Sequence, residues 1–145
     1  DGVVPAPGPS EPADAVLSAC GRECAPAVAA AMDEVAIHKA LAAIIDLVTK
    51  GNEYVQSTQP WALAKYPGKR ARLGTVLYNA LEASRVAALL MAPFTPTAAQ
   101  KLWEALVPGG EPVENARIDR DGAWGRLAAG ATLPHACIVF PKIET

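Results

Sequence analysis

Histidine is almost missing from these 145 residues: His38 and His135 are the whole complement. Neither has a serine or cysteine nucleophile at a suggestive spacing. A glycine-rich phosphate loop of the GxxxxGK type is also lacking, and Gly109-Gly110 reads as a loop break. Asp119 and Asp121 belong to an Arg-Asp-Arg-Asp run, the pattern of a solvated turn rather than an acid-base pair. No catalytic residue is therefore assigned, and by itself the chain is expected to catalyse nothing. Cysteine is scarce and odd in number: Cys20 and Cys24 lie four apart and Cys137 is distant. That excludes full pairing and any CxxC-type metal spacing, so no metal or cofactor is expected in this segment. Cys20 and Cys24 fall in line with Leu17, Ala27 and Val28 and read as small core residues. An odd cysteine count with no recognisable signal peptide points to a reducing, cytoplasmic setting. The longest apolar run, residues 86–94, falls short of the ~20 residues needed to span a bilayer, so a soluble protein is expected. Net positive charge is lacking too, at -2, so any nucleic-acid binding must be local. Aromatics make up only 6% against 51% hydrophobic residues with much alanine, which favours close-packed helices over a sheet sandwich. The length suits one domain with one sizeable core.

Along the chain, residues 1–12 hold four prolines and two glycines and read as an extended leader, loose unless something docks it. Residues 13–135 carry the helical signal. From Ala13 to Glu34 the positions Val16, Leu17, Cys20, Cys24, Val28, Ala31 and Val35 keep helical spacing, with Gly21 and Pro26 interrupting it. One kinked helix or two short ones are expected there. A second helix runs from Ala36 to Thr58, with Ile37, Leu41, Ile44, Ile45, Val48 and Val55 predicted as its buried face and His38 exposed. A third, Lys69 to Met91, is apolar except for a narrow stripe of Arg72, Thr75, Asn79 and Glu82, and belongs in the middle of a bundle. In it, Glu82 and Arg85 are spaced for an ion pair, and Gly74 marks close packing against another backbone. Thr95-Pro96 reads as an N-cap with proline at the first helical position, opening a helix to Leu106 that turns Leu102, Trp103 and Leu106 inward. Val107 to Gly122 is a loop, after which Trp124 and Leu127 are expected to cap the bundle from a single helical turn. Residues 136–145 form a tail that opens with a short β-prone run ended by Pro141. The fold class is all-α: an antiparallel bundle of four to five helices with an extended leader and a short C-terminal strand or extended tail.

The organising stretch is Asn52 to Lys65, where the second helix runs out. Pro60 blocks its continuation and disfavours the α conformation at Gln59, so Trp61 leaves a rigid turn. A tryptophan there is either a core or lid residue or a platform on which an unpaired base stacks. Asn52 lies four residues after Val48, in line with the core positions; it either ends the helix or ties its end to a neighbour. Lys65, Lys69, Arg70 and Arg72 follow Trp61 as a basic cluster, which is either a solvated helix start or a set of phosphate contacts.

Asn52, Tyr54, Val55, Pro60, Trp61, Leu63, Ala64 and Lys65 resemble the N-x-Y-(I/V)-x-x-x-x-P-W-x-L-A-K signature of the helical anticodon-binding domain of methionyl-tRNA synthetases. Leu77, Tyr78, Leu81, Glu82, Arg85 and Val86, then Leu90, Ala92, Pro93, Phe94 and Pro96, resemble that family's next long helix and its proline-marked exit. Trp124 and Leu127, with Val139, Phe140, Pro141, Lys142, Ile143 and Glu144, resemble its closing segments.

The resemblance implies that Trp61, held by Pro60, stacks on an unpaired anticodon base of a methionine tRNA. Lys65, Lys69, Arg70 and Arg72 would then meet its backbone, with Asn52 and Tyr54 as structural support. The family's partner residues, in an N-L-x-x-R helix, and its H-x-G-H-like and K-M-S-K-S-like catalytic motifs are not in this sequence, so the chain is expected to be a fragment of a longer enzyme. The tail would pack back on that enzyme's catalytic body, which uses ATP to join methionine to tRNA. A reading of another class is a helical protein-protein interaction module with no nucleic-acid role, in which Trp61 and Trp124 merely pack. An exposed Trp61 ring beside the basic cluster favours binding; a buried ring favours packing.

Overall fold

The computed structural model describes residues 2–134 and residue 139. Four long helices make up the fold: α1 (Pro12–Asp33), α2 (Ile37–Thr58), α4 (Arg70–Met91) and α5 (Pro96–Leu106). Two single-turn helices, α3 (Pro60–Leu63) and α6 (Ile118–Asp121), sit in the connections. The expected all-α bundle is what is observed. Cys24 meets the Ala43 carbonyl, Cys20 meets Asp46 and Asp14 meets Tyr54, so residue numbers fall along α1 as they rise along α2 and the pair is antiparallel. The described residues contain no extended strand, only an isolated bridge between Val3 and Thr132. The β-prone run at 136–140 lies outside the described residues apart from Val139. Among the described residues no helix is long and apolar enough to cross a membrane.

α1 is one unbroken helix. Pro26 removes one backbone hydrogen bond, but it is exposed, and water can satisfy the carbonyl it frees. Val35, expected on the buried face of α1, instead adopts φ 56° in the turn after it and is 79% exposed. The chain closes the helix there, with Ala36 N–H donating to the Ala31 carbonyl and Val35 N–H to that of Met32.

The core differs from the sequence expectation in which residues fill it. The buried face of α2 is Ala40, Ile44, Leu47 and Tyr54, while Ile37, Ile45 and Val48 are exposed. Ile44, Leu47 and Tyr54 supply most of the buried side-chain volume, with Ala40 wholly buried beside them. Of the narrow polar stripe on α4, Thr75, Asn79 and Glu82 are buried and Arg72 half-buried; Arg85 is buried beside Glu82, and Leu77 is exposed. Each of these polar groups has a partner, which is what makes burying it tolerable.

The leader is docked. Val4 is buried against Tyr78 and Leu127, its N–H donates to the Ala131 carbonyl, and Gly8 N–H donates to the Thr75 hydroxyl at 2.8 Å. Gly74 makes room for it, because a Cβ there would stand 3.3 Å from that of Pro5. Trp103 is buried as expected, its indole N–H donating to the Glu111 carbonyl. Trp124 is not on a helical turn: it follows α6 in a non-helical turn and lies against Gly21 of α1.

Candidate functional site

The site begins where α2 stops. Gln59 takes φ 46° and ψ 63°, a left-handed conformation, because Pro60 excludes the right-handed one from the residue before it. Gln59 serves two helices at once: its N–H donates to Val55 at the end of α2, and its carbonyl accepts from Ala62 in α3. Pro60 opens α3 at the position where its missing N–H costs nothing. Trp61 follows and is 51% exposed, while Leu63 turns inward onto the core cluster. The ring therefore leaves a backbone that cannot swing freely.

Beyond α3 the chain passes Lys65 and Tyr66, makes a 3-10 turn over Pro67–Lys69, and enters α4 at Arg70. Lys65, Lys69 and Arg70 are exposed. Lys69 is the N-cap of α4 and Arg70 its first residue, so these cations stand at the positive end of a helix dipole, where they are unfavourable for stability. An anionic partner would relieve that cost. Tyr66, which the sequence gave no reason to single out, is 62% exposed and shares the segment with Trp61.

Arg72 belongs elsewhere. Expected among the phosphate contacts, its side chain is turned inward and donates to Asp14 at 2.6 Å, with Glu11 at 3.2 Å. Asp14 is buried, and the same carboxylate accepts the Tyr54 hydroxyl at 2.5 Å and the Glu11 N–H at 2.8 Å. Asn79 in turn donates to the Tyr54 oxygen at 3.3 Å. Burial alone would raise the Asp14 carboxyl, but the bonds from Arg72, the Glu11 amide and Tyr54 outweigh it and hold the group below the ordinary carboxylate range. Burial, and then the bond to Asp14, push the Tyr54 phenol up to about 12. Tyr54 is thus buried, with its hydroxyl bonded to both Asp14 and Asn79. Asn52 is exposed at the rim of an apolar groove beside Val48, Val55 and Leu102, and Tyr54 two residues on takes the buried position.

The hub, Asp14, was not singled out from the sequence. Its one visible signal was the run Glu11-Pro12-Ala13-Asp14, which has the spacing of a reciprocal N-cap and does form one. Among the described residues no cluster of His, Cys, Asp or Glu could hold a metal ion. Cys24 is buried and its thiol pushed up to about 12, chiefly by burial, which leaves it inert. What the surface offers is an exposed ring on a fixed turn with three cations following it, an arrangement suited to an unstacked base and its phosphates.

Comparison with known proteins bears on the same segment. A family described as the anticodon binding domain of methionyl tRNA ligase matches residues 4–145. A methionine--tRNA ligase of Streptomyces coelicolor is 41% identical over 118 residues, which is 77% of this chain and 22% of that protein. One from Caldanaerobacter subterraneus subsp. tengcongensis is 35% identical over 99% of this chain and 22% of its own length. Among solved structures, the free state of Mycobacterium tuberculosis methionyl-tRNA synthetase superposes with a TM-score of 0.85 at 35% identity, covering 100% of this chain and 29% of that one. The same enzyme bound by methionyl-adenylate gives 0.83 at 36% identity, covering 97% and 27%. The chain spans about a fifth of the length of the curated relatives it matches.

Proposed function

Because the chain belongs to the family of anticodon-binding domains of methionyl-tRNA ligases, we propose that it recognises the anticodon of a methionine-accepting tRNA on behalf of an enzyme that joins methionine to that tRNA. The partners are then the tRNA and the catalytic body of the ligase, acting in the cytoplasm. ATP belongs to that body. The Mycobacterium tuberculosis neighbour is described with methionyl-adenylate, the mixed anhydride that ATP and methionine form.

The observation that carries the reading is the half-exposed Trp61 on the turn fixed by Gln59 and Pro60. A packing role would need a buried ring. Trp61 offers a flat π face to an unpaired base, and Pro60 sets the direction in which the face points. Lys65, Lys69 and Arg70 neutralise phosphates flanking that base; Arg72, already paired with Asp14, takes no part. Base stacking on an aromatic side chain contributes about 1 to 3 kcal/mol.

Replacing Trp61 with alanine in the intact ligase raises the KM for tRNA by about 5- to 150-fold, the equivalent of that stacking energy. Unchanged charging of tRNA by the variant would remove the role assigned to Trp61. A second arm reads the cations: alanine at Lys65, Lys69 or Arg70 each lowers the slope of log affinity against log salt by about 0.7 if the residue meets a single-strand phosphate.

A further inference from the structure

The segment that carries the candidate site is held by very little of its own. No residue of α3 or of the 3-10 turn after it is buried, and its inward contact with the core is the half-buried Leu63. A segment with so few buried contacts takes its position from its ends. One end is the last turn of α2, which Tyr54 opens. The Tyr54 carbonyl accepts the Thr58 hydroxyl at 2.7 Å, and Gln59 closes the same turn on Val55. The other end is the first turn of α4, which contains Arg72.

A single carboxylate on a third helix grips both ends. Asp14 accepts from the Tyr54 hydroxyl at 2.5 Å through one oxygen and from Arg72 at 2.6 Å through the other. The second oxygen also accepts the Glu11 amide, so both oxygens are engaged and the carboxylate cannot rotate without breaking bonds. These are charge-assisted bonds in a buried place, where they are strong and geometrically strict. Arg72 is the one cation of the basic cluster withheld from the surface, and this is the use made of it.

We propose that Asp14 is a positioning residue for anticodon recognition. By tying Tyr54 before the connecting segment to Arg72 after it, Asp14 sets where Trp61 stands relative to Lys65, Lys69 and Arg70. The proposal rests on the reading of Trp61 as the base platform. Loss of the Asp14 carboxylate removes no group that touches tRNA; it lets the segment leave the orientation that binds. If the competent fraction falls to a tenth, the apparent affinity falls about tenfold.

The test is a double-mutant cycle in the intact ligase with Asp14→Asn and Trp61→Ala, singly and together. Asparagine keeps the size of Asp14 and removes its charge. Asp14→Asn should raise the KM for tRNA by about tenfold with kcat and methionine activation unchanged, and it should add little once Trp61 is already alanine. An effect that adds in full to that of Trp61→Ala, or a lowered melting temperature with no change in KM, overturns the proposal and leaves Asp14 a fold-stabilising residue. If Trp61→Ala alone leaves the KM unchanged, the platform reading fails, and the positioning role with it. Tyr54→Phe, which removes one hydroxyl, runs the same cycle should Asp14→Asn not fold, and full additivity there is equally decisive.

Discussion

Glu82 and Arg85, one turn apart on α4, form an ion pair with two 2.8 Å bonds and almost no exposure on either side chain. The pair also binds residues 121–127 to the bundle. Glu82 accepts the N–H groups of Gly125, Arg126 and Leu127, while Arg85 donates to the carbonyls of Asp121 and Ala123. The guanidinium carbon also lies 6.0 Å from the centre of the Trp103 ring. Breaking such a pair from one side leaves a buried charge without compensation, which costs about 3 to 5 kcal/mol. Glu82→Ala is therefore expected to lower the urea midpoint severely, and Glu82→Gln, which keeps one acceptor oxygen, to lower it less. Equal midpoints for the two variants would refute the account.

Gly21 and Gly51 offer opposite outcomes for one substitution. Both lie inside helices, where alanine in open surroundings gains about 1 kcal/mol over glycine. At Gly51 nothing lies within 4 Å of an added Cβ, so Gly51→Ala should stabilise by roughly that amount. At Gly21 the added carbon would fall inside the Trp124 ring, so Gly21→Ala should destabilise by about 1 to 3 kcal/mol through overpacking. Shrinking Trp124 to leucine should remove most of the difference between glycine and alanine at position 21. Denaturant midpoints of the four single and paired variants check this.

These particulars show how far the sequence could be read. Helices α1, α2, α4 and α5 were legible because apolar spacing, Thr95-Pro96 and Pro60 are local signals, and the Glu82–Arg85 pair followed from its three-residue spacing. The buried faces were less legible. Ala40 of α2, like the buried Ala83 and Ala87 of α4, looks no different in sequence from a surface alanine, and on α2 apolar spacing alone points Ile45 and Val48 inward although both are exposed. The α4 stripe reads as polar, and only its partners, Gly8 and residues 125–127 among them, explain why it is inside. Trp61 was marked by its proline. Asp14 was not, because its partners Tyr54 and Arg72 lie 40 and 58 residues away in the chain.

Val35 holds a left-handed conformation that suits glycine or asparagine, and its branched side chain is almost wholly in solvent. The left-handed region costs an L-residue roughly 1 to 2 kcal/mol. Glycine avoids that cost but makes the unfolded chain more flexible, which offsets part of the gain. Val35→Asn avoids most of the strain without the added flexibility. Both variants should be more stable than the parent, asparagine by about 1 kcal/mol, read as a higher melting temperature. A lower melting temperature for both would mean that Val35 makes a contribution its exposure does not reveal.

Acid should expose the Asp14 hub directly. Its folded-state carboxyl lies below the unfolded value of about 3.9, so near that pH the unfolded chain binds more protons than the folded one and stability rises with pH. The contribution is complete above the unfolded value and is lost as pH falls through the lowered folded one. The groups facing Asp14 are Arg72, Tyr54 and the Glu11 amide. Arg72 stays charged and Tyr54, with its phenol near 12, stays neutral throughout that acid window, while the Glu11 carboxylate beside Arg72 is common to the parent and the Asp14 variant, so the difference between their curves reads the Asp14 carboxyl. Asp14→Asn should lower the stability measured at neutral pH and flatten its fall below about pH 4, so that the curves of the two proteins converge in strong acid. Parallel curves offset by a constant would mean that the carboxylate charge contributes nothing and that Asp14 acts by shape.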